Sequence, residues 1–410
     1  MRILLSEGSS TSAREAVTAF GVRGHAVEIC DPDPRCFARF SRFVRKFHRC
    51  PGLRDEPLQF LDFVVDLVSR ERFDVLVPIH EQGFLFAAAA DRLAPHVAVA
   101  LPSFDHYRRA HSKAGFHALL TELGLPEPPT SIVTTAAELR AAVRYPSQIK
   151  AAIGTASRDT WQVRNPAELE NAIRGLQEGN SFGEPILVQD FAEGPVEHAQ
   201  AVFFRGELIA MHACRQILRG QGGGDALKES VARPEVEEHM RSMGRALAWH
   251  GAWSLDYILT EQGPAYIDSN PRLVEPMSAQ LCGLDLAELL LQISLGRKPA
   301  PSRSGAGERT HLAMQALLGV ANRTASRGKI LSEARHLIAR DGHYRNSQEE
   351  LTPVRLDWLS GVPLFTAFVL LLTNPAGSTA LAKGGWGAHL LTPQSIKTIE
   401  EHFGLNPSAG

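Results

Sequence analysis

The chain has 410 residues, 44% of them hydrophobic, and a formal net charge of −2. That length buries ample core and calls for two or three domains, and so balanced a charge gives nucleic acid no electrostatic foothold. The five cysteines are odd in number and lack a Cys-x-x-Cys pair, which argues against a disulfide framework or a zinc knuckle and for a reducing, cytoplasmic setting.

The first third reads as α/β. Arg2 to Ser6 is a short apolar strand, too short for a signal peptide, followed by Gly8, Ser9 and Ser10 and a helical pattern through Phe20. His25 to Cys30 is a second strand, ending at Asp31-Pro32-Asp33-Pro34. This order implies a parallel sheet with right-handed crossovers. Arg35 to Arg49 interleaves six Arg or Lys with Phe37, Phe40, Phe43 and Phe47, and is expected to be a helix with a basic face and a phenylalanine core stripe. Phe60 to Ser69 is an amphipathic helix and Val75 to Ile79 a further strand. His80, Glu81 and Gln82 then stand beyond its carboxyl end, where ligands sit in open α/β sheets, although Glu81 equally suits a helix cap. The Gly8 loop lacks a full Gly-x-Gly-x-x-Gly, so turn chemistry is favoured over dinucleotide binding.

In the middle third, Ser112-Lys113 opens a helix to Leu123 that Gly124 closes before Pro126, Pro128 and Pro129. A lysine at a helix start opposes the dipole, so Lys113 is expected to have an anionic partner elsewhere. Tyr145 to Lys150 is a strand that delivers Lys150 into the small-residue loop Ala151 to Arg158, a shape suited to phosphate oxygens. Pro185 to Phe191 is a strand broken at Ala192-Glu193-Gly194-Pro195, which offers backbone groups to a purine edge. Glu197, beyond the break, is either a ribose-hydroxyl acceptor or an exposed charge in a strand.

Asp256 to Arg272 reads as a hairpin: Tyr257 to Leu259 and Ala265 to Ile267 are strand formers around the turn Glu261-Gln262-Gly263. The pairing sets Asp256 and Asp268 together at one end. Asp268 and Asn270, two apart, leave one face of the strand, and Arg272 continues that face. Two carboxylates and an amide oxygen suit Mg²⁺ shared with phosphates, with an arginine for the phosphate itself; the plain alternative is a solvated hairpin with surface charges.

Taken in order, Lys113, Lys150, the small-residue loop, Gln189-Asp190-Phe191-Ala192-Glu193-Gly194 with Glu197, Asp256, and Asp268-Ser269-Asn270-Pro271-Arg272 resemble the ATP-grasp superfamily, specifically its carboxylate-amine ligases. The resemblance spans about residues 106 to 298. It implies a Rossmann-like parallel-sheet pre-ATP-grasp domain (1–105), a two-lobed α+β ATP-grasp domain (106–300) and a C-terminal extension (301–410). It further implies that Lys113 and Lys150 contact the nucleotide, that Gly154 to Arg158, with Ser157, closes over its phosphates, and that Gln189, Asp190, Phe191 and Ala192 meet adenine. Glu197 would hold ribose, Asp256, Asp268 and Asn270 would bind Mg²⁺ (or Mn²⁺), and Arg272 would face the transferred phosphoryl group. The chain departs from the pattern in having aspartate at both metal positions, where glutamate is common, and a glycine-poor phosphate loop.

The segment Arg219-Gly220-Gln221-Gly222-Gly223-Gly224-Asp225 is a candidate lid, with Arg219, and Arg215 upstream, as candidate ligands for a substrate carboxylate; a plain surface turn is the alternative. Ala300 to Gly307 reads as a linker, Lys329 to Arg340 and Thr392 to Phe403 as helices. The apolar run Leu359 to Thr373 is short for a membrane span, and is expected to be a buried helix, with interfacial membrane contact as the lesser reading; the C-terminal extension as a whole could cover the substrate site, form a dimer interface or touch a membrane. The resulting expectation is an ADP-forming ligase joining a small-molecule carboxylate to an amine through an acyl phosphate. A carboxylase of the same chemistry, a silent ATP-binding regulator and a membrane-attached assembly protein are its rivals.

Overall fold

The computed structural model describes residues 1–152, 160–382 and 385–405. The N-terminal sheet contains β1 (Arg2–Leu5), β2 (Ala26–Asp31), β3 (Val44–Arg49) and β4 (Val75–Val77), all parallel in the order β3-β2-β1-β4. Ile3, Leu4, Leu5, Val27 and Ile29 are wholly buried, as expected for central strands covered on both faces. Helices Thr11–Val22 and Pro57–Arg70 supply the crossovers; Ser10 caps the first by accepting from Ala13 N.

The basic segment differs from its expected helix. Only Phe37–Arg39 makes a 3₁₀ turn, and 44–49 joins β2 as the edge strand. Phe43 leaves the helical stripe to lie on the first helix, so close that a Cβ at Gly21 would fall 2.2 Å from its ring. The guanidinium of Arg39 lies over the Phe47 ring at 4.8 Å, so part of the basic charge covers apolar surface.

A second sheet is built from β5 (Thr130–Val133), β6 (Ser147–Ala151), β7 (Thr160–Val163) and β8 (Ile186–Asp190), antiparallel in the order β5-β8-β6-β7. Helices 136–142 and 166–178 close one face of it over Leu139, Ile149, Val163, Leu169 and Ile186. The third and largest sheet runs β13-β12-β9-β10-β11-β15-β16, where β9 is Val196–Phe204, β10 Glu207–Arg219, β11 Asp225–Ser230, β12 Gly251–Thr260 and β13 Gly263–Asn270. Its strands beyond β11, and a short strand off that path, come from residues 302–349. β14 (Ser302–Arg303), inside the expected linker, pairs with β10, while β15 (Arg309–His311) and β16 (Ser347–Glu349) extend the sheet beyond β11.

The C-terminal segment also reaches back to the first sheet. Arg14 donates to Asp357 Oδ2 at 2.8 Å, both side chains being fully buried. His389 lies 3.0 Å from Asp31 and 3.2 Å from Gln82. Glu81, a candidate cap, instead accepts from Leu391 N and makes no side-chain cap for helix 82–88. The apolar run forms helix Gly361–Thr373, but it is not a buried helix: only Ala367 and Leu371 are enclosed, and Phe365 is 67% exposed. Among the described residues no helix is long and apolar enough to cross a membrane.

Removing one partner of a fully buried ion pair strands the other charge. Arg14→Met should therefore lower the unfolding free energy by about 3 kcal/mol, read by urea denaturation.

Candidate active site

The β12–β13 hairpin positions the acidic residues. From the turn, Thr260 pairs with Gly263 and Tyr257 with Tyr266, but Asp256 then pairs with Asp268. One residue, Ile267, is extra on β13. Strict pairing would set Asp256 opposite Ile267 and turn Asp268 to the other face; the bulge brings both aspartates to one face. The Ile267 carbonyl accepts from Lys150 Nζ at 2.7 Å, and the same ammonium donates to Gln189 Oε1 at 2.8 Å. Lys113 Nζ approaches Asp268 Oδ1 at 3.9 Å, the anionic partner expected of it. Its backbone N–H donates to Ala152 O at 2.8 Å, tying the start of helix Lys113–Leu123 to the end of β6.

Burial lowers the Lys150 ammonium to about 8, with Asp268 opposing and Lys113 reinforcing the shift. Asn270 and Arg272 are both over nine-tenths buried, and Arg272 Nε has no hydrogen-bond partner among the described residues. Asp256 and Asp268 each keep about a third of their side-chain surface open, 30% in both. An all-oxygen donor set of two carboxylates and an amide, with two lysines and an unspent guanidinium nearby, fits a hard divalent cation carrying phosphates.

At the end of β8 the Gln189 side chain is spent between Lys150 and Thr130 Oγ1, while Asp190 N pairs with Pro129 O. Beyond it Phe191 is exposed and Ala192 half-buried, leaving that edge open to a flat ligand. Gly154 and Ser157, with the loop to Arg158, lie outside the described residues.

Two assignments are corrected. Glu197 alternates to the opposite face of β9 from Asp256 and is completely buried, bound by Arg215 (2.9 Å), Arg233 (2.6 and 2.7 Å) and the Tyr257 hydroxyl (3.0 Å). With both oxygens occupied on the wrong face, it does not offer itself to ribose. Burial alone would raise its carboxyl, but Arg233 and Arg215 bring it below the ordinary glutamate range. Arg219 is exposed five residues beyond the β9-paired Cys214, about 16 Å along an extended strand. Its carbonyl accepts from Arg323 Nη1 at 2.7 Å, and Arg215 is committed to Glu197, so the structure brings neither arginine to the aspartates.

The position next to Glu197 carries what the sequence reading missed. His198 Nδ1 meets Asp256 Oδ1 at 2.7 Å and Nε2 faces Asp225 Oδ2 at 3.3 Å. Burial depresses the imidazole, but Asp225 and Asp256 overcome it and hold its pKa well above the usual value. Gln216 Nε2 braces Asp225 Oδ1 at 2.6 Å. The signal was alternation: His198 and Gln200 on β9, and His212 and Gln216 on β10, recur at every second or fourth position and so share one face.

No protein-family model matches the chain. In sequence it is 27% identical over 271 residues to the carbamoyl phosphate synthase large chain of Rubrobacter xylanophilus, an alignment covering 61% of this chain and 25% of that protein. The chain thus spans about a quarter of that relative's length. In structure it is similar to the biotin carboxylase domain of Hydrogenobacter thermophilus 2-oxoglutarate carboxylase, determined with MgADP and bicarbonate, at TM-score 0.60 and 18% identity over 75% of this chain and 73% of that one. The L-amino acid ligase of Bacillus licheniformis gives TM-score 0.55 at 17% identity over 72% and 74%. The chain has the ATP-grasp fold, and its relatives in sequence and structure are ATP-grasp enzymes.

With Lys150 at the phosphates, as the resemblance implies, an anionic nucleotide would prefer its protonated form, and ATP affinity should fall as pH rises through about 8, where the lysine of the free protein loses its proton. Lys150→Met should weaken ATP binding about tenfold or more at pH 7 and flatten that profile, measured by calorimetric titration. Glu197→Gln should cost about 2 kcal/mol of stability while leaving ATP affinity unchanged; a weakened affinity at unchanged stability would restore the ribose role.

Proposed function

We propose that the chain is a Mg-ATP-dependent, ADP-forming ligase that joins a small-molecule carboxylate to an amine. The observation that carries this is the bulged register that puts Asp256 and Asp268 on one face beside Asn270, with Lys150 hydrogen-bonded to the bulge carbonyl. A bound Mg²⁺ neutralises triphosphate charge and aligns the γ-phosphoryl group. In this reading 1–105, 106–300 and 301–410 are the pre-ATP-grasp domain, the ATP-grasp domain and an extension whose strands complete the large sheet.

Asp256, Asp268 and Asn270 hold the cation, and His198 fixes Asp256 by occupying one of its oxygens. Lys150 and Lys113 contact the phosphates, and the open edge at Phe191 and Ala192 receives the adenine. Arg272, with Nε unspent, takes the anionic oxygens of the transferred phosphoryl group. A carboxylate oxygen attacks the γ-phosphorus and the bond to the β-phosphate oxygen breaks, giving ADP and an acyl phosphate. The lone pair of the amine then forms the C–N bond as the C–O bond to phosphate breaks, and phosphate leaves with that pair and the amine proton. The five cysteines are free, which supports a reducing compartment.

Carboxylation is the second reading, favoured by likeness to a biotin carboxylase domain bound to bicarbonate. ADP and phosphate release is to be measured with pools of carboxylates and amines and, separately, with bicarbonate. Release that requires one carboxylate and one amine, and falls at least about a hundredfold in Asp268→Asn, is the expected result. Bicarbonate-driven release without an added carboxylate would move the assignment to a carboxylase. Binding of ATP with no release from any pool would leave a regulator.

A further inference from the structure

A group of buried charges that the phosphoryl site does not use lies where helix Thr11–Val22, the segment 275–278 and the end of β16 meet the large sheet. Lys228 Nζ pairs with Glu275 and, at 3.0 Å, with Glu350 Oε2. Glu15 is fully buried, accepts from Met277 N at 3.0 Å, and feels the charges of Glu350, Glu275 and Lys228. Three carboxyl groups therefore share one ammonium. The Arg14 guanidinium also feels the Glu15 charge, and its Nε has no hydrogen-bond partner among the described residues. Arg14 is committed to Asp357 and Thr18, and His212, pushed down to about 3 by burial and Lys228, is neutral with Nε2 on Ser278 Oγ at 3.1 Å.

Acceptor atoms are left over as well. Glu15 Oε1, Glu350 Oε1 and Gln200 Oε1 are buried without a hydrogen-bond donor of good geometry among the described residues, although the Thr310 hydroxyl lies beside the Glu350 carboxyl. Burial raises both Glu15 and Glu350, the latter to about 8. Carboxyl groups kept in the interior with idle oxygens, three of them around one ammonium, have the composition of a receptor for N–H donors carrying positive charge.

The cluster continues the face of the phosphoryl site. Gln200 stands two residues from His198 on the same side of β9 and donates to Glu275 O at 3.3 Å, and Glu275 follows Arg272 by three residues. Next to Glu275, Ser12, Ala16, Leu273 and Pro276 line a small apolar concavity with room for about one water molecule. Resting on the ligase reading above, we propose that the amine substrate is a dication, a diamine or a basic amino acid, whose second cationic nitrogen is held by Glu15 and Glu350.

The test compares 1,5-diaminopentane with 1-aminopentane, equal in length and differing in that nitrogen, by calorimetric titration into wild-type protein, Glu15→Gln and Glu350→Gln. The expected result is diamine binding at least about tenfold tighter than monoamine binding in the wild type, with the preference lost in either variant. The melting temperature of both variants should equal or exceed that of the wild type, because each removes a buried carboxyl group that the empty site leaves unsatisfied. Equal binding of the two amines, a preference surviving both substitutions, or a fall in melting temperature marking the carboxyls as structural would overturn the proposal. Diamine preference without ADP release from any carboxylate pool would sink the ligase reading and leave the dication site standing.

Discussion

The one extra residue in the β12–β13 ladder is the constraint on which the site depends. An antiparallel pair has a side-chain period of two, so the face on which a carboxylate emerges is fixed by register alone. The two-residue turn at 261–262 would send Asp256 and Asp268 to opposite faces; Ile267, inserted between the pairs Tyr257–Tyr266 and Asp256–Asp268, returns them to one. The carbonyl of the inserted residue accepts from Lys150. One irregularity thus gathers the acidic pair and anchors a lysine from a different sheet.

The register has its own support on the opposite face. Tyr257 and Tyr266 meet edge to face at 5.8 Å, Tyr266 OH is 3.0 Å from His239, and Tyr257 donates to Glu197, which Arg215 and Arg233 grip. Glu197, expected to hold ribose, instead belongs to the foundation under the hairpin. Its neighbour His198 looks the other way and holds Asp256. A sequence shows that a glutamate and a histidine are adjacent in a strand; which of them faces the ligand is decided by pairing with β10 and β12, elements far away in the chain.

Local chemistry was legible where it is local. Ser112 and Gly124 bound their helix as capping rules require, hairpin arithmetic brings Asp256 and Asp268 to one end of the ribbon though not to one face, and the order of motifs implied the fold that the relatives share. Phenylalanines at 37, 40, 43 and 47 imitate a helical stripe, and only the empty edge beside β2 and the bare surface of Gly21 explain why the chain extends there instead. The apolar composition of 361–373 likewise states that the helix is greasy but not how much of it neighbours cover, which here is little beyond Ala367 and Leu371. Arg14 meeting Asp357 and Asp31 meeting His389 are contacts across more than three hundred residues, beyond any local pattern.

These long-range contacts bear on how the site is assembled. Polar residues of β12, β9, β10 and β11 form one continuous strip, from Asp256 and His198 through Asp225 and Gln216 to Lys228. At its far end Lys228 is shared between Glu275, next in line after Arg272, and Glu350, which follows β16 in the last hundred residues; Glu15 faces them from the N-terminal helix. Glu15, Glu275 and Glu350 thus come to one ammonium from three separate segments of the chain. The phosphoryl end of the strip is built within the hairpin and the second sheet, whereas the carboxyl-rich end requires all three parts of the chain in place. On the proposed reading, reaction at the first end and selection at the second would vary separately, consistent with a fold found in both a ligase and a carboxylase domain.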